Sequence, residues 1–249
     1  MKEFLHGRQP VLECLRARRR HVFRLLLSDV VREAGIVGQI VESARGLGVP
    51  VVRVPRTKMD AVSETHQGVA LEVGAYPYVA VADILRRALK LSEQSFVLAL
   101  DHVQDPHNLG ALLRTADAVG VHGVVVPERR AAGVTPAVAS ASAGASEHVQ
   151  VAQVTNLVRC LEALKDDGLW VVGLDSSHTD CLLYHEVDLN CPLVLVVGAE
   201  GEGLSRLARQ SCDLLVRLPM RGRLESLNAS VAGGVAMYAA WGARGFASN

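Results

Sequence analysis

Glu200, Ser226 and Asn228 are polar side chains able to hydrogen-bond a ligand, and they stand in loops that directly follow apolar runs. The first run, Leu193–Val197, opens into Gly198-Ala199-Glu200-Gly201-Glu202-Gly203. The second, Leu214–Leu218, opens into a loop from Pro219 to Asn228 that leads into a small-residue helix. Loops at strand ends build the ligand sites of open α/β sheets, so two in quick succession imply a pocket. A third polar stretch, Asp101-His102-Val103-Gln104-Asp105-Pro106-His107-Asn108, follows the apolar run Phe96–Leu100. Asn108 sits where a helix N-cap is favoured, and Arg114 falls six residues further on. Each also has a plain structural use. Asn108 would serve as a cap alone, and Arg114 would pair with Asp117 at i+3 on a helix surface for about 0.3 kcal/mol.

The glycine pattern narrows the ligand. Gly198, Gly201 and Gly203 give G-x-x-G-x-G, the reverse of the dinucleotide order G-x-G-x-x-G. Glu200 and Glu202 stand where a pyrophosphate needs open backbone N–H groups. No G-x-x-x-x-G-K-[ST] occurs either. A phosphate cradle and a nicotinamide dehydrogenase are therefore disfavoured. Cys14, Cys160, Cys181, Cys191 and Cys212 form no C-x-x-C pair and no recognisable zinc spacing, so no metal site is expected. Their scatter suits reduced thiols in the cytosol.

The elements that must position these residues follow from periodicity. Residues 1–76 read as a small α/β unit, with helices over Gly7–Arg20 and Gly35–Gly46. Strands are expected at Phe23–Leu27, Val49–Val54 and Val69–Val73, with a helical stretch at Thr57–Thr65. Residues 77–92 read as a linker with a connector helix, Val81–Lys90, and 93–249 as a second domain. There, strands at Phe96–Leu100, Gly123–Val126, Val149–Val154 and Leu169–Leu174 alternate with helices at Leu109–Val119, Thr135–Ala145 and Asn156–Asp166. The two strand–loop–helix units of the opening complete this domain. Such alternation implies an α/β fold with a mostly parallel sheet.

Of the 249 residues, 49% are hydrophobic and 21% charged, which is ordinary for a globular chain. No apolar run approaches a membrane span, and MKEFLHGRQP lacks the apolar core of a secretory signal, so a cytoplasmic protein is expected. The zero net charge hides an asymmetry. Residues 1–58 hold 12 Lys/Arg against 5 Asp/Glu, and the remainder reverses this. A basic N-terminal part would attract a polyanion such as RNA, whereas a solvated helix face explains the Arg16–Arg20 cluster equally well.

Taken together, the motifs resemble one family. Asn108-Leu109-Gly110 with Arg114, then Gly198-x-Glu200-Gly201-x-Gly203, then Pro219-Met220 with Ser226-Leu227-Asn228-x-Ser230-Val231-Ala232 are similar to the three ordered motifs of the SpoU-type (TrmH family) 2′-O-ribose RNA methyltransferases. The likeness runs almost continuously over residues 96–241. The first domain resembles the L30e-like RNA-binding domain of that family through His6-Gly7-Arg8-x-Pro10-Val11 and His66-Gln67-Gly68. The Leu100–Ala118 segment looks most like the 23S rRNA guanosine-2′-O-methyltransferases of bacteria.

The resemblance implies a SPOUT-type catalytic domain with a deep trefoil knot and a homodimer whose pocket is completed near the subunit interface. It implies S-adenosylmethionine contacted by backbone around Gly198, Leu218 and Leu227; without it, both leucines would read as plain core. Asn108, Glu200, Ser226 and Asn228 are then grouped around the reacting hydroxyl and the methionine end. Arg114 is implied to activate that hydroxyl. Because a guanidinium stays protonated, gripping the adjacent phosphate or stabilising a developing alkoxide suits it better. Two departures stand out. Ala229 replaces a bulkier β-branched residue, and Glu225 adds negative charge beside Ser226. A tRNA ribose methyltransferase and a non-catalytic RNA-binding or ribosome-assembly protein are the alternative readings.

Overall fold

The computed structural model describes residues 2–175, 181–201, 203–223 and 226–246. Glu202 of the glycine loop and Glu225 beside Ser226 lie outside them. In chain order the elements begin with β1 (Lys2–His6), α1 (Arg8–Ala17), β2 (Val22–Ser28), α2 (Ile36–Gly46), β3 (Val51–Val54), α3 (Arg56–Asp60) and β4 (Val69–Gly74). Next come α4 (Val81–Leu91), β5 (Phe96–Leu100), α5 (Pro106–Ala118), β6 (Gly123–Pro127), α6 (Pro136–Ala141), β7 (Val151–Val154) and α7 (Leu157–Asp166). The chain continues through β8 (Trp170–Leu174), β9 (Leu182–Leu183), β10 (Leu193–Val197), α8 (Arg206–Gln210), β11 (Leu214–Arg217) and α9 (Ala229–Ala243).

The chain divides into two compact units. One comprises residues up to Pro77 together with Val134–His148, and the other comprises Tyr78–Gly133 and Val149 onward. The first unit is built on a four-stranded sheet of order β1-β4-β2-β3, antiparallel except for the β2–β3 pair. β1 was not expected from the sequence; it pairs antiparallel with β4 and buries Leu5 in the unit's core. Leu12 and Leu15 of α1, Ile40 of α2, Leu25 and Leu71 meet in one buried cluster, which Ala139 of α6 joins. The helix expected over Thr135–Ala145 therefore belongs to this unit rather than to the parallel-sheet unit.

Helix α1 ends three residues before Arg20, with Arg18 in the left-handed region at φ 53°. The arginine cluster thus does not form one helix face. Arg16 is exposed and pairs with Glu13, whereas the Arg20 side chain is fully buried. Arg20 donates from Nε and Nη2 to Glu147 at 2.9 and 2.8 Å and from Nη1 to Glu3 at 3.0 Å. Arg19 donates to the Glu147 carbonyl at 3.2 Å, and the Tyr76 hydroxyl donates to the Ser146 carbonyl at 2.9 Å. A buried guanidinium needs such pairing, so Arg20 is structural.

The second unit holds a seven-stranded sheet of order β7-β6-β5-β10-β8-β11-β9, parallel at every pairing. β10 fills the position between β5 and β8, and all its residues are buried, which accounts for its unbroken apolar run. α4, expected as a connector, contributes the fully buried Ile84 to this unit's core. Since all seven strands run the same way, Leu100, Leu174, Val197 and Arg217 end on one edge of the sheet. Among the described residues, no helix is long and apolar enough to cross a membrane.

Candidate active site

At that edge the loop after β10 folds back on itself. Ala199 and Gly203 exchange backbone hydrogen bonds at 3.1 and 3.0 Å. A Cβ on Gly198 would lie 2.2 Å from the Gly203 carbonyl carbon, so this crossing admits only glycine. The turn sets one wall of a cleft of about 630 Å³, solvent mouth included. Gly198, Glu200, Gly201 and Gly203 line that wall, and Leu174 and Asp175 at the end of β8 line the next. Leu218, Met220, Ser226 and Leu227 close the opposite side, with Ala229 and Ala232 of α9 behind them. The lining is largely apolar, with a few polar groups converging on it, as ligand clefts generally are.

The polar groups are oriented from the start of α9. Asn228 is the N-cap, its Oδ1 accepting from the Ser230 and Val231 backbone amides at 2.9 and 3.4 Å and from Ser230 Oγ at 2.6 Å. With Oδ1 committed as acceptor, Nδ2 must donate, and it meets Asn108 Oδ1 at 2.9 Å. Asn108 Nδ2 then donates to Glu200 Oε2 at 3.1 Å. One helix cap thereby fixes the amide orientation of Asn108 and the carboxylate position of Glu200.

Asn108 is not itself a cap. Asp105 caps α5, accepting from the His107 amide at 2.9 Å, and Pro106 follows at the first helical position. The helix thus starts three residues before the expected Leu109, which leaves the buried Asn108 side chain available to the network. Gly198, Glu200, Leu218, Ser226 and Leu227 line the cleft, and Asn108 and Asn228 reach it through Glu200. Leu218 is half-buried and Leu227 is 41% exposed, so neither is plain core. Arg114 is exposed on α5, outside the lining of this cleft, and has no hydrogen bond or ion pair among the described residues. The expected Asp117 pairing is absent there. Ala229 is buried beside the cleft. Asp175 and Met220 are lining residues that the sequence motifs did not single out as ligand contacts. Asp175 carried a legible signal, as an acidic residue ending a strand of a parallel sheet.

The cysteines offer no competing chemistry. None of the five is in a disulfide, and burial pushes Cys160 up to about 11 and Cys212 up to about 12, so neither supplies a thiolate near neutrality. No cluster of His, Cys, Asp and Glu fit to hold a metal occurs among the described residues.

Comparisons with known proteins give the family of the chain. Residues 95–238 match the model of the SpoU rRNA Methylase family, and residues 4–79 match that for RNA 2'-O ribose methyltransferase substrate binding. A Bacillus subtilis protein named "Putative TrmH family tRNA/rRNA methyltransferase YacO" is 46% identical over 95% of this chain and 94% of its own length. The crystal structure of the SpoU methyltransferase AviRb from Streptomyces viridochromogenes, in complex with the cofactor AdoMet, superposes with a TM-score of 0.81. It is 25% identical and covers 99% of this chain and 92% of its own. A TrmH/SpoU tRNA modifying enzyme of A. aeolicus is 31% identical with a TM-score of 0.55, covering 66% of this chain and 85% of its own. With both models matched in order and a relative 46% identical over 95% of the chain, this chain belongs to the SpoU rRNA Methylase family.

Proposed function

We propose that this chain transfers a methyl group from S-adenosylmethionine to a ribose 2′-hydroxyl in RNA, with a guanosine of 23S ribosomal RNA as its target. The observation that carries this reading is the Asn228–Asn108–Glu200 chain ending on a cleft lined by Gly198, Leu218 and Leu227. The residues present suit the methyl donor. Glycine lets the main chain approach a ligand, the leucines and alanines offer an apolar slot for a purine, and carboxylates face a cation. The relative with bound AdoMet supports the same assignment.

When bound, S-adenosylmethionine supplies an electrophilic methyl group on a sulfonium. The chain's own work is then alignment and management of one proton. Glu200, set by Asn108, is the acceptor for the hydroxyl proton, or the brace for an arginine. Ser226 and Asn228 hold the hydroxyl and the methionine end. Gly198, Leu218 and Leu227 hold the donor through their backbone. Arg114 acts as a permanent cation on the RNA side, gripping the adjacent phosphate or stabilising the developing alkoxide.

The reading includes a homodimer, a trefoil knot around the cleft and an L30e-like RNA-binding first domain, residues 1–76, joined by 77–92 to the methyltransferase domain, 93–249. The exposed face of α9 favours the dimer. Val231, Val235 and Tyr238 lie 52, 40 and 47% exposed, one to two turns apart, while Ala229, Gly233, Ala236 and Ala240 pack inward. A second copy would cover that face, and completing the pocket from a partner gives Arg114 its place. Val235→Asp should yield a monomer by sedimentation with greatly reduced activity; a fully active monomer refutes the dimer.

The RNA target is tested by methyl incorporation from labelled S-adenosylmethionine into purified 23S rRNA and tRNA, with mapping of the modified nucleotide. Incorporation confined to a 23S guanosine is expected. Incorporation into tRNA alone selects the alternative, which similarity to the A. aeolicus tRNA modifying enzyme favours.

A further inference from the structure

Residues 128–133 follow β6, which ends at the same edge of the parallel sheet as β5 and β10, and none of them lines the cleft. This loop carries Arg129 and Arg130, adjacent and exposed, and neither has a hydrogen bond or ion pair among the described residues. Arg130 sits at φ 56°, in the left-handed region. Few residues other than glycine adopt that conformation, and glycine does so without steric cost. The backbone alone therefore gives no reason for an arginine there.

The loop is held at both ends. The Glu128 amide donates to the Val154 carbonyl at 2.9 Å, which ties its start to the end of β7. The Ala132 amide donates to the Val103 carbonyl at 2.9 Å, which ties its other end to the loop after β5. In that second loop Asp101 Oδ2 accepts from the Ser205 amide at 2.7 Å, just past the cleft turn, and the loop runs on into α5 and Asn108. Short hydrogen bonds thus link the arginine pair, loop by loop, to the Asn228–Asn108–Glu200 chain.

On α7, Arg159 is a further exposed guanidinium with no side-chain partner among the described residues. It lines one groove with Glu128, Thr155 and Asn156, and with Asp167 at the other end of the helix. Residues 59–249 hold 14 Lys/Arg against 21 Asp/Glu, so unpaired cations are the scarcer kind in this part of the chain. Glu128 is the one carboxylate of residues 128–133, and it leaves the loop with a positive surplus. A guanidinium stays charged at every working pH, and its planar fork donates in pairs to a phosphate. Spread over a loop and the next helix, such groups suit successive phosphates of a strand better than one small anion.

Resting on the RNA methyltransferase reading, we infer that Arg129 and Arg130, together with Arg159, bind the phosphodiester backbone of the substrate RNA beside the target nucleotide. The tie through Val103 fixes the pair relative to Asn108, so this contact sets where the strand enters the site.

The full-length wild type and Arg129→Ala/Arg130→Ala are compared in binding in-vitro-transcribed 23S rRNA and tRNA by filter retention, between about 50 and 200 mM KCl, and in methyl transfer. Each phosphate contact adds about 0.7 to 0.9 to the slope of log affinity against log salt, so the double variant should lose about 1.5 of that slope. Its KM for RNA should rise about tenfold, with kcat at saturating RNA and affinity for S-adenosylhomocysteine unchanged. Arg159→Ala alone should lose about half as much slope. Arg129→Lys/Arg130→Lys keeps both charges and should restore the slope, which a role in shaping the loop would not. Should the double alanine variant fold poorly, Arg130→Gly takes its place: glycine suits the left-handed backbone, so a lost slope there belongs to the missing side chain. An unchanged slope and KM would overturn the assignment in favour of a solvated face, and a loss that lysine fails to restore would overturn it too. A wild type that binds neither RNA sinks the RNA reading itself, whereas an active wild type with an unaffected double variant removes the arginine surface alone.

Discussion

Asn228 Oδ1 caps α9 while Nδ2 holds Asn108, so one side chain starts a helix and orients the polar chain of the site. These duties can be separated. Aspartate caps as well as asparagine but cannot donate to Asn108. Asn228→Asp should therefore keep a melting temperature within about 2 °C of the wild type while methyl transfer in single turnover falls about tenfold or more. Asn228→Ala should lose the cap as well, at about 1 kcal/mol. Similar melting temperatures for the two variants would contradict the division of roles. Arg114→Ala should abolish methylation with S-adenosylmethionine affinity nearly unchanged, and Arg114→Lys should rescue little, because a point charge cannot copy a planar fork. A parallel collapse of cofactor affinity would remove Arg114 from the RNA side.

Elements decide which of these residues could be read in advance. The apolar runs of β5 and β10 were plain in the sequence, and the loop after β10 lines the described cleft. The start of α5 was misread because Asn108 resembles a cap, although Asp105-Pro106 is the stronger signal. The link from Asn108 to Glu200 spans 92 positions, and no local pattern encodes it. The cleft turn makes its own prediction: Gly198→Ala must push the Gly203 carbonyl aside and should abolish cofactor binding in a folded protein, measured by calorimetry beside circular dichroism.

At the far end of the same sheet, His122 Nδ1 accepts from the Phe96 amide at 3.0 Å, and Nε2 faces Glu93 at 3.1 Å. Burial holds its pKa below the ordinary value, with Arg87 and Arg244 adding to the depression and Glu93 opposing it. The unfolded chain then takes the proton first, at about pH 6.5. Stability from this site is complete above that pH and declines as pH falls towards the folded pKa. Urea midpoints measured from pH 7.5 to 5 should fall less steeply in His122→Asn, whose amide oxygen can accept from Phe96. An identical slope would exonerate His122.

For the molecule as a whole, a linker was expected from residue 77, and one boundary between the two compact units falls at Pro77. The membership of Val134–His148 was not legible. Its small residues carry no mark of which core they join, and the decisive pair, Arg20 and Glu147, lies 127 positions apart. Glu147→Gln should cost about 3 kcal/mol in denaturant unfolding, because it leaves a buried guanidinium with Glu3 as its remaining counter-ion. Arg20→Met combined with Glu147→Leu should recover most of that loss. A single variant as stable as the wild type would mean that the ion pair contributes little to holding this unit.

The split membership of the first unit also bears on how such chains can be recombined. A graft exchanged at Pro77 alone would separate Arg20, Glu13 and Tyr76 from the Glu147, His148 and Ser146 groups they bond. A recipient keeping its own 134–148 segment would have to match a foreign guanidinium with a carboxylate more than a hundred residues away. New RNA-recognition modules should therefore transfer only as two-piece cassettes, 1–77 with 134–148, and one-piece chimeras should express as insoluble protein.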